Sequence, residues 1–266
     1  LAPSFTYQLT DRTKITVLTE YSESTRGGTA SYYNPSQGEA SDIYVGDPDY
    51  NDFVNEQWRV GYELEHEMDN GVTLRQNLRY SEVDADLEFS GIYAAGTGFG
   101  RYWGHYLENS ENFSVDTYAE GHFSTGAFDH TVVAGFDYTQ SSYDAYYGGV
   151  GYVSAADTDA VDQPYSNGQE MYQYGVYVHD QLSSGPWTMF LSGRYDWVDM
   201  TTFDANQNGT DTSHNGFSGR VGLSYAFNTD LSVYANVSSS FVPTTGLVYD
   251  DSTDPNSGRS AEPTRG

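Results

Sequence analysis

Cysteine is absent from all 266 residues, which excludes disulfide staples and thiolate metal sites while saying little about compartment. Also missing is any run approaching the roughly 18 apolar residues of a membrane-crossing helix. Mean hydropathy is low, at −0.61. Helical spanning is thereby excluded, but a strand barrel is not, because its strands turn only alternate side chains to lipid. Basic residues are scarce: 11 Lys and Arg stand against 38 Asp and Glu, for a formal charge of −27. Nucleic-acid binding is excluded as a default, since phosphate contacts need Lys and Arg. The acidic excess reads as solvated surface loops, with cation capture as the sharper alternative. No segment resembles a nucleophile elbow or a triad element, so the chain is not expected to be an enzyme and no catalytic residue is assigned.

Aromatic residues, by contrast, are abundant. They make up 16% of the chain, with 25 Tyr, 13 Phe and 4 Trp, while all hydrophobic residues together reach only 37%. A soluble core built on Leu, Ile and Val does not look like this; a single alternating wall with amphipathic rings at its rims does. Short polar turns recur at Thr10–Thr13, Met68–Gly71, Ser124–Ala127, Ser183–Pro186 and Asn228–Asp230. Between them lie long acidic stretches rich in Tyr and Gly, near 23–53, 82–111, 140–170, 200–215 and 242–266. Each short turn is flanked by period-two alternation. Trp58, Val60, Tyr62 and Leu64 alternate with Arg59, Gly61, Glu63 and Glu65. After Asp69-Asn70-Gly71, a two-residue hairpin signal, come Val72, Leu74, Leu78 and Tyr80.

Five such hairpins predict an all-β fold: an antiparallel transmembrane β-barrel of about ten up-and-down strands, with short turns at one end and long loops at the other. A soluble sandwich also alternates, but its connections do not sort into short and long. Trp58, Tyr80, Tyr138, Trp187, Trp197 and Tyr225 are expected at interfacial girdles, with Val60 and Val176 near the bilayer midplane.

Six short stretches carry a family resemblance: Leu1–Thr6, Leu74–Tyr80, Asn112–Thr117, Gln173–Gln181, Gly193–Trp197 and Ser238–Thr244. In this order they resemble TonB-dependent siderophore receptors of the ferrichrome type, through essentially the whole chain. The resemblance implies uptake of a ferric siderophore across the outer membrane of a Gram-negative bacterium, with energy relayed through TonB. The implied partners are the ferric siderophore and outer-membrane lipid; no intrinsic cofactor and no nucleic acid is expected. The family's barrel has about 22 strands. Residues 1–266 are therefore expected to be one barrel region, an interior piece lacking the plug domain, its TonB-contacting segment and the C-terminal strands. The sheet would then be part of that larger barrel or a narrower closed one. The alternative function is a non-transporting outer-membrane or surface β-barrel, an interaction module with acidic loops.

The family binds its chelate with aromatic side chains from external loops and strand ends. Carried over motif by motif, the resemblance implies Tyr32 and Tyr33 in the first long loop. The pair after the Leu-Arg-Gln-Asn strand falls on Gly91 and Tyr93, so one ring is lost there. The doublet beyond Gly135-Phe136-Asp137-Tyr138 falls on Tyr146 and Tyr147.

Other constellations read as structural. Asp204–Asp211 resembles the start of a Ca²⁺ loop, but position twelve is Asn215 where a bidentate Glu is needed. An Asn/Gly-rich turn is the better reading, and no metal residues are assigned. His66 and His130 fall on the apolar face, away from metal-ligand spacing. Glu63 and Glu65 lie near Arg59, Arg75 and Arg79, which favours charge compensation over a glycosidase pair.

Overall fold

The computed structural model describes residues 1–28, 32, 42–96, 98–151, 163–244, 247–249, 258–260 and 263–265. Ten strands form one sheet: β1 (Ser4–Thr10), β2 (Thr13–Gly27), β3 (Asp52–Glu67), β4 (Thr73–Ala95), β5 (Gly98–Thr125), β6 (Phe128–Gly151), β7 (Tyr165–Ser184), β8 (Trp187–Phe203), β9 (Gly209–Ala226) and β10 (Ser232–Ser239). They pair antiparallel in chain order, as the hairpin pattern predicts. Beyond them, β11 (Phe241–Val242) pairs with β14 (Thr264–Arg265), and β12 (Leu247–Tyr249) with β13 (Gly258–Ser260). β1 and β10 are edges, so the sheet is an open wall and the narrower closed barrel is not formed.

Turn chemistry sets the short ends. At Met68–Gly71 the Gly71 N–H donates to the Met68 carbonyl at 3.1 Å, and Asn70 Oδ1 accepts from the Val72 N–H at 3.2 Å. Only Gly71, at φ +82°, is left-handed there. A two-residue type I′ hairpin needs positive φ at Asn70 too, so the turn is instead type I followed by a glycine bulge.

The long-connection end differs from expectation. β4, β5 and β6 run 23, 28 and 24 residues, where about ten suffice to cross the apolar band. Pairing of β4 with β5 continues without a slip from Thr73↔Glu120 to Ala95↔Gly98. The stretches 82–111 and 200–215 are thus mostly ribbon, not loop. Their acidity disguises the alternation, because the apolar residues change sides: Leu78 and Tyr80 lie on one face, Val83, Ala85, Leu87 and Phe89 on the other.

One face carries a belt of rings across eight strands. Tyr21 pairs with Trp58, Tyr80 with Phe113, Tyr138 with Tyr174, Tyr174 with Trp197 and Tyr195 with Phe217. Trp58 meets Tyr80 and Phe113 meets Tyr138 diagonally across strands, at ring separations of 5.1 and 6.1 Å, while Tyr195 and Trp197, two residues apart on β8, meet at 4.7 Å. The belt steps back two residues at each diagonal, the stagger a tilted wall requires to keep its rings level. A second belt lies at the short-turn end, where Trp187 packs on Tyr225 at 4.5 Å and Tyr225 on Phe227 at 4.8 Å. Trp187 and Trp197 stand ten residues apart on the same face of β8, which at a tilt near 40° separates the belts by about 25 Å, the height of an outer-membrane apolar band. Between them Val178, Leu191 and Val221 are 48%, 37% and 50% exposed. Among the described residues no second layer covers them, so the sheet is not one half of a sandwich; this is the lipid face. Val60 and Val176 lie one pleat below the upper belt, so mid-depth on β7 falls at Val178 instead.

Candidate functional site

The opposite face is polar and concave. One row runs Thr16, Glu63, Asn77, Asp116, Asp137, Gly175 and Asp196 across β2 to β8. A cavity of about 780 Å³ is lined from Leu18 on β2 to Arg194 on β8, which requires the wall to curve toward this side. Its charges are mostly compensated. Arg75 bridges Glu65 at 3.0 Å and Glu120 at 2.7 Å, as the cross-strand charge pattern predicts, and Lys14 also reaches Glu65 at 3.3 Å. Arg79 stands opposite Gly61, not Glu63. Tyr177 donates to Asp116 at 2.8 Å. Arg194 joins Asp137 and the buried Asp196 at 2.5 and 2.6 Å.

Above the upper belt, the same concave face becomes aromatic. Phe89 stacks on Tyr106 at 5.5 Å, and Tyr106 on Tyr147 at 4.3 Å. Tyr102 meets Phe89 edge-on at 6.1 Å and Tyr93 at 6.4 Å. Glycines make room for these rings. The Phe89 ring covers Gly104, whose missing Cβ would lie 2.6 Å from Phe89 Cε1, and the Tyr102 hydroxyl lies 2.6 Å from where a Gly91 Cβ would stand. The five rings form a shelf at the mouth of the wall, and Tyr93, Tyr102 and Tyr147 remain 36%, 36% and 40% exposed.

Of the five residues implied by the family motifs, Tyr93 and Tyr147 join this shelf. Tyr146 does not: next to Tyr147 on an extended strand, it points to the other face. There it meets Tyr165 at 5.5 Å and borders a groove with Val54 and Leu107. Tyr32 is brought onto Tyr44, with rings 5.9 Å apart, and Tyr33 lies outside the described residues. Phe89, Tyr102 and Tyr106 were missed by sequence reasoning. Gly91, taken as a lost ring, is the signal that could have found them, since Tyr102 fills its space from the neighbouring strand.

The remaining candidates are structural. Asp204 accepts from the backbone N–H of Asn206 at 2.8 Å and of Asn208 at 2.9 Å, and from the Asn208 amide at 3.1 Å. These bonds hold its carboxyl below the usual range, the Asn208 side chain contributing most. This is a self-capped turn. His66 bonds Thr13 at 2.8 Å and His130 bonds Asp180 at 2.8 Å, both on the lipid face.

A lipid-facing band between two aromatic belts, a polar concavity behind it and a ring-lined mouth define one wall of an outer-membrane β-barrel receptor. The chain belongs to the TonB dependent receptor-like β-barrel family, whose model matches residues 4–265. It is 31% identical over 266 residues to the ferrioxamine B receptor of Salmonella typhimurium, covering 92% of this chain and 38% of that one. To the ferrichrome outer membrane transporter/phage receptor of Escherichia coli it is 28% identical, covering 94% and 40%. Among solved structures, the ferripyoverdine receptor of Pseudomonas aeruginosa superposes with a TM-score of 0.76 at 19% identity, over 99% of this chain and 37% of that one. The ferric-catecholate import receptor Fiu of E. coli K12 gives 0.75 at 15%, over 91% and 43%. The chain thus spans about two fifths of the length of the curated relatives it matches.

Proposed function

We propose that this chain is part of the barrel wall of an outer-membrane receptor that captures a ferric siderophore at the aromatic shelf and takes it up with energy relayed through TonB. Residues 1–266 act as one barrel region. TonB is engaged through segments outside this sequence, and outer-membrane lipid covers the band between the belts. Iron arrives as cargo inside its chelator. Uptake involves no covalent chemistry, so the residues' task is recognition and the protein is a receptor, not an enzyme.

One observation carries the reading: Phe89, Tyr93, Tyr102, Tyr106 and Tyr147 converge on the concave side of the mouth. A siderophore wraps its metal in an organic shell that presents both apolar and carbonyl surface. Tyrosines suit such a surface, offering a broad ring, a hydroxyl donor and few rotatable bonds to freeze. The ferrioxamine B and ferrichrome receptors among the relatives point to the same ligand class. The test is growth of a receptor-deficient strain on a hydroxamate siderophore as sole iron source. The full-length protein is expected to restore it; no restoration with any ferric chelate overturns the proposal.

A further inference from the structure

Behind the shelf, on the other face of the same two strands, lies the most thoroughly buried polar cluster of the described residues. The segment between β2 and β3 crosses there. Asp47 and Trp103 are each 4% exposed, Ser90 1% and Tyr50 4%. Asp47 accepts the Trp103 indole N–H at 3.0 Å through Oδ2 and the Asp49 N–H at 3.1 Å through Oδ1. Its own N–H donates to Ser90 Oγ at 2.5 Å. Tyr50 meets the His105 ring edge-on at 6.5 Å, and His105 is tied to Asp86 and Gln163, each at 2.7 Å. Arg101 donates to the Val45 carbonyl at 3.4 Å.

Each anchor is the chain neighbour of a shelf ring. Ser90 follows Phe89, Trp103 follows Tyr102 and His105 precedes Tyr106. Neighbouring strand residues point to opposite faces, so a hold on the back of this ribbon fixes the rings in front. The pairing of β4 with β3 ends at Phe53↔Leu87, so beyond Leu87 β4 is the outer edge of a three-stranded sheet of β4, β5 and β6 and is stiffened by a neighbouring strand on one side alone. We infer that Asp47 is a positioning residue for ligand recognition: its carboxylate clasps β4 and β5 from behind and holds Phe89, Tyr102 and Tyr106 in their binding arrangement. The rings are then ordered before the ligand arrives, and binding does not have to freeze them. This rests on the shelf being the siderophore site.

The experiment measures binding of ferrioxamine B, as probe, to the full-length protein in detergent by titration calorimetry, with thermal unfolding of the same samples. Asp47→Ala is expected to weaken binding by about tenfold without moving the barrel's unfolding transition, which depends on the wall. Asp47→Asn, which keeps an acceptor for the indole N–H, recovers most of the affinity. Trp103→Phe behaves as Asp47→Ala, and the double variant is no worse than the weaker single one, because both remove the same bond. Undiminished binding by Asp47→Ala beside a wild type that binds overturns this inference alone, as do additive effects in the double variant. Wild-type protein that binds no ferric chelate overturns the siderophore reading and this inference with it.

Discussion

Arg194 on β8 reaches over Gly175 on β7 to hold Asp137 on β6, with hydrogen bonds of 2.5 and 2.9 Å. A methyl group at Gly175 would stand 2.6 Å from the guanidinium carbon. The glycine is therefore a spacer that lets one cation join three strands. Gly175→Ala is expected to destabilise the wall by about 1–3 kcal/mol through displacement of the guanidinium. Arg194→Gln should cost a similar amount by leaving Asp137 and the buried Asp196 unpaired. Arg12, whose pairing with Asp69 is 52% and 96% exposed, serves as the control, where Arg12→Gln should cost under about 1 kcal/mol. Denaturant titration in detergent checks the order; equal effects at Arg12 and Arg194 would contradict it.

Tyr146 and Tyr147 are neighbours that face opposite ways, so their roles should separate. Tyr147→Ala is expected to weaken ferric-siderophore binding by about 0.5–2 kcal/mol, through the lost ring and the loosened Tyr106 stack. Tyr146→Ala should leave affinity within about twofold of wild type. Calorimetry on the two variants decides it, and a larger loss at Tyr146 would place the ligand on the wrong side of the ribbon.

Depth along β7 makes a graded prediction for lipid. Val178 lies at mid-depth, while Val176 sits next to the Tyr174 ring of the upper belt. Val178→Arg should cost about 2–4 kcal/mol, and Val176→Arg clearly less, because the penalty for a cation falls toward the interfaces. Refolding equilibria in vesicles measure both; the reverse order would mean that the belts do not mark the membrane boundary.

The Asp204 turn should respond to acid. Its carboxyl is held below the ordinary range by Asn208 and the backbone N–H groups, so the folded turn binds protons less readily than the unfolded chain. That contribution is complete above the unfolded value, near pH 4, and is lost as pH falls through the lower folded value. Protection of the Asn206 and Asn208 amides, taken as exchange relative to the unstructured rate at the same pH, is expected to fall only in that acid range. Asp204→Asn should remove the pH dependence. Added Ca²⁺ should not slow exchange at neutral pH, since both carboxylate oxygens already accept hydrogen bonds.

How legible the fold was depends on where along a strand one looks. Within the membrane band a side chain meets either lipid or water, and Val60, Tyr62 and Leu64 against Arg59, Glu63 and Glu65 spell that out residue by residue. Ten strands, their order and the short-turn end followed directly. Beyond the band both faces meet water, and the pattern no longer announces itself. There β4 to β6 extended past expectation, and Glu82, Asp84 and Asp86 looked like loop because their apolar partners had changed sides.

The chain alone determined that alternate residues of ten segments face lipid, because transfer of a side chain into hydrocarbon depends on its own chemistry and on strand parity. Only the tertiary structure decided which tyrosines share a surface. Tyr147 finds Tyr106 across 41 residues, and Phe89 finds the space above Gly104, through the register of three long strands. That register is set by the turns and the ladder as a whole, and no local stretch of sequence contains it.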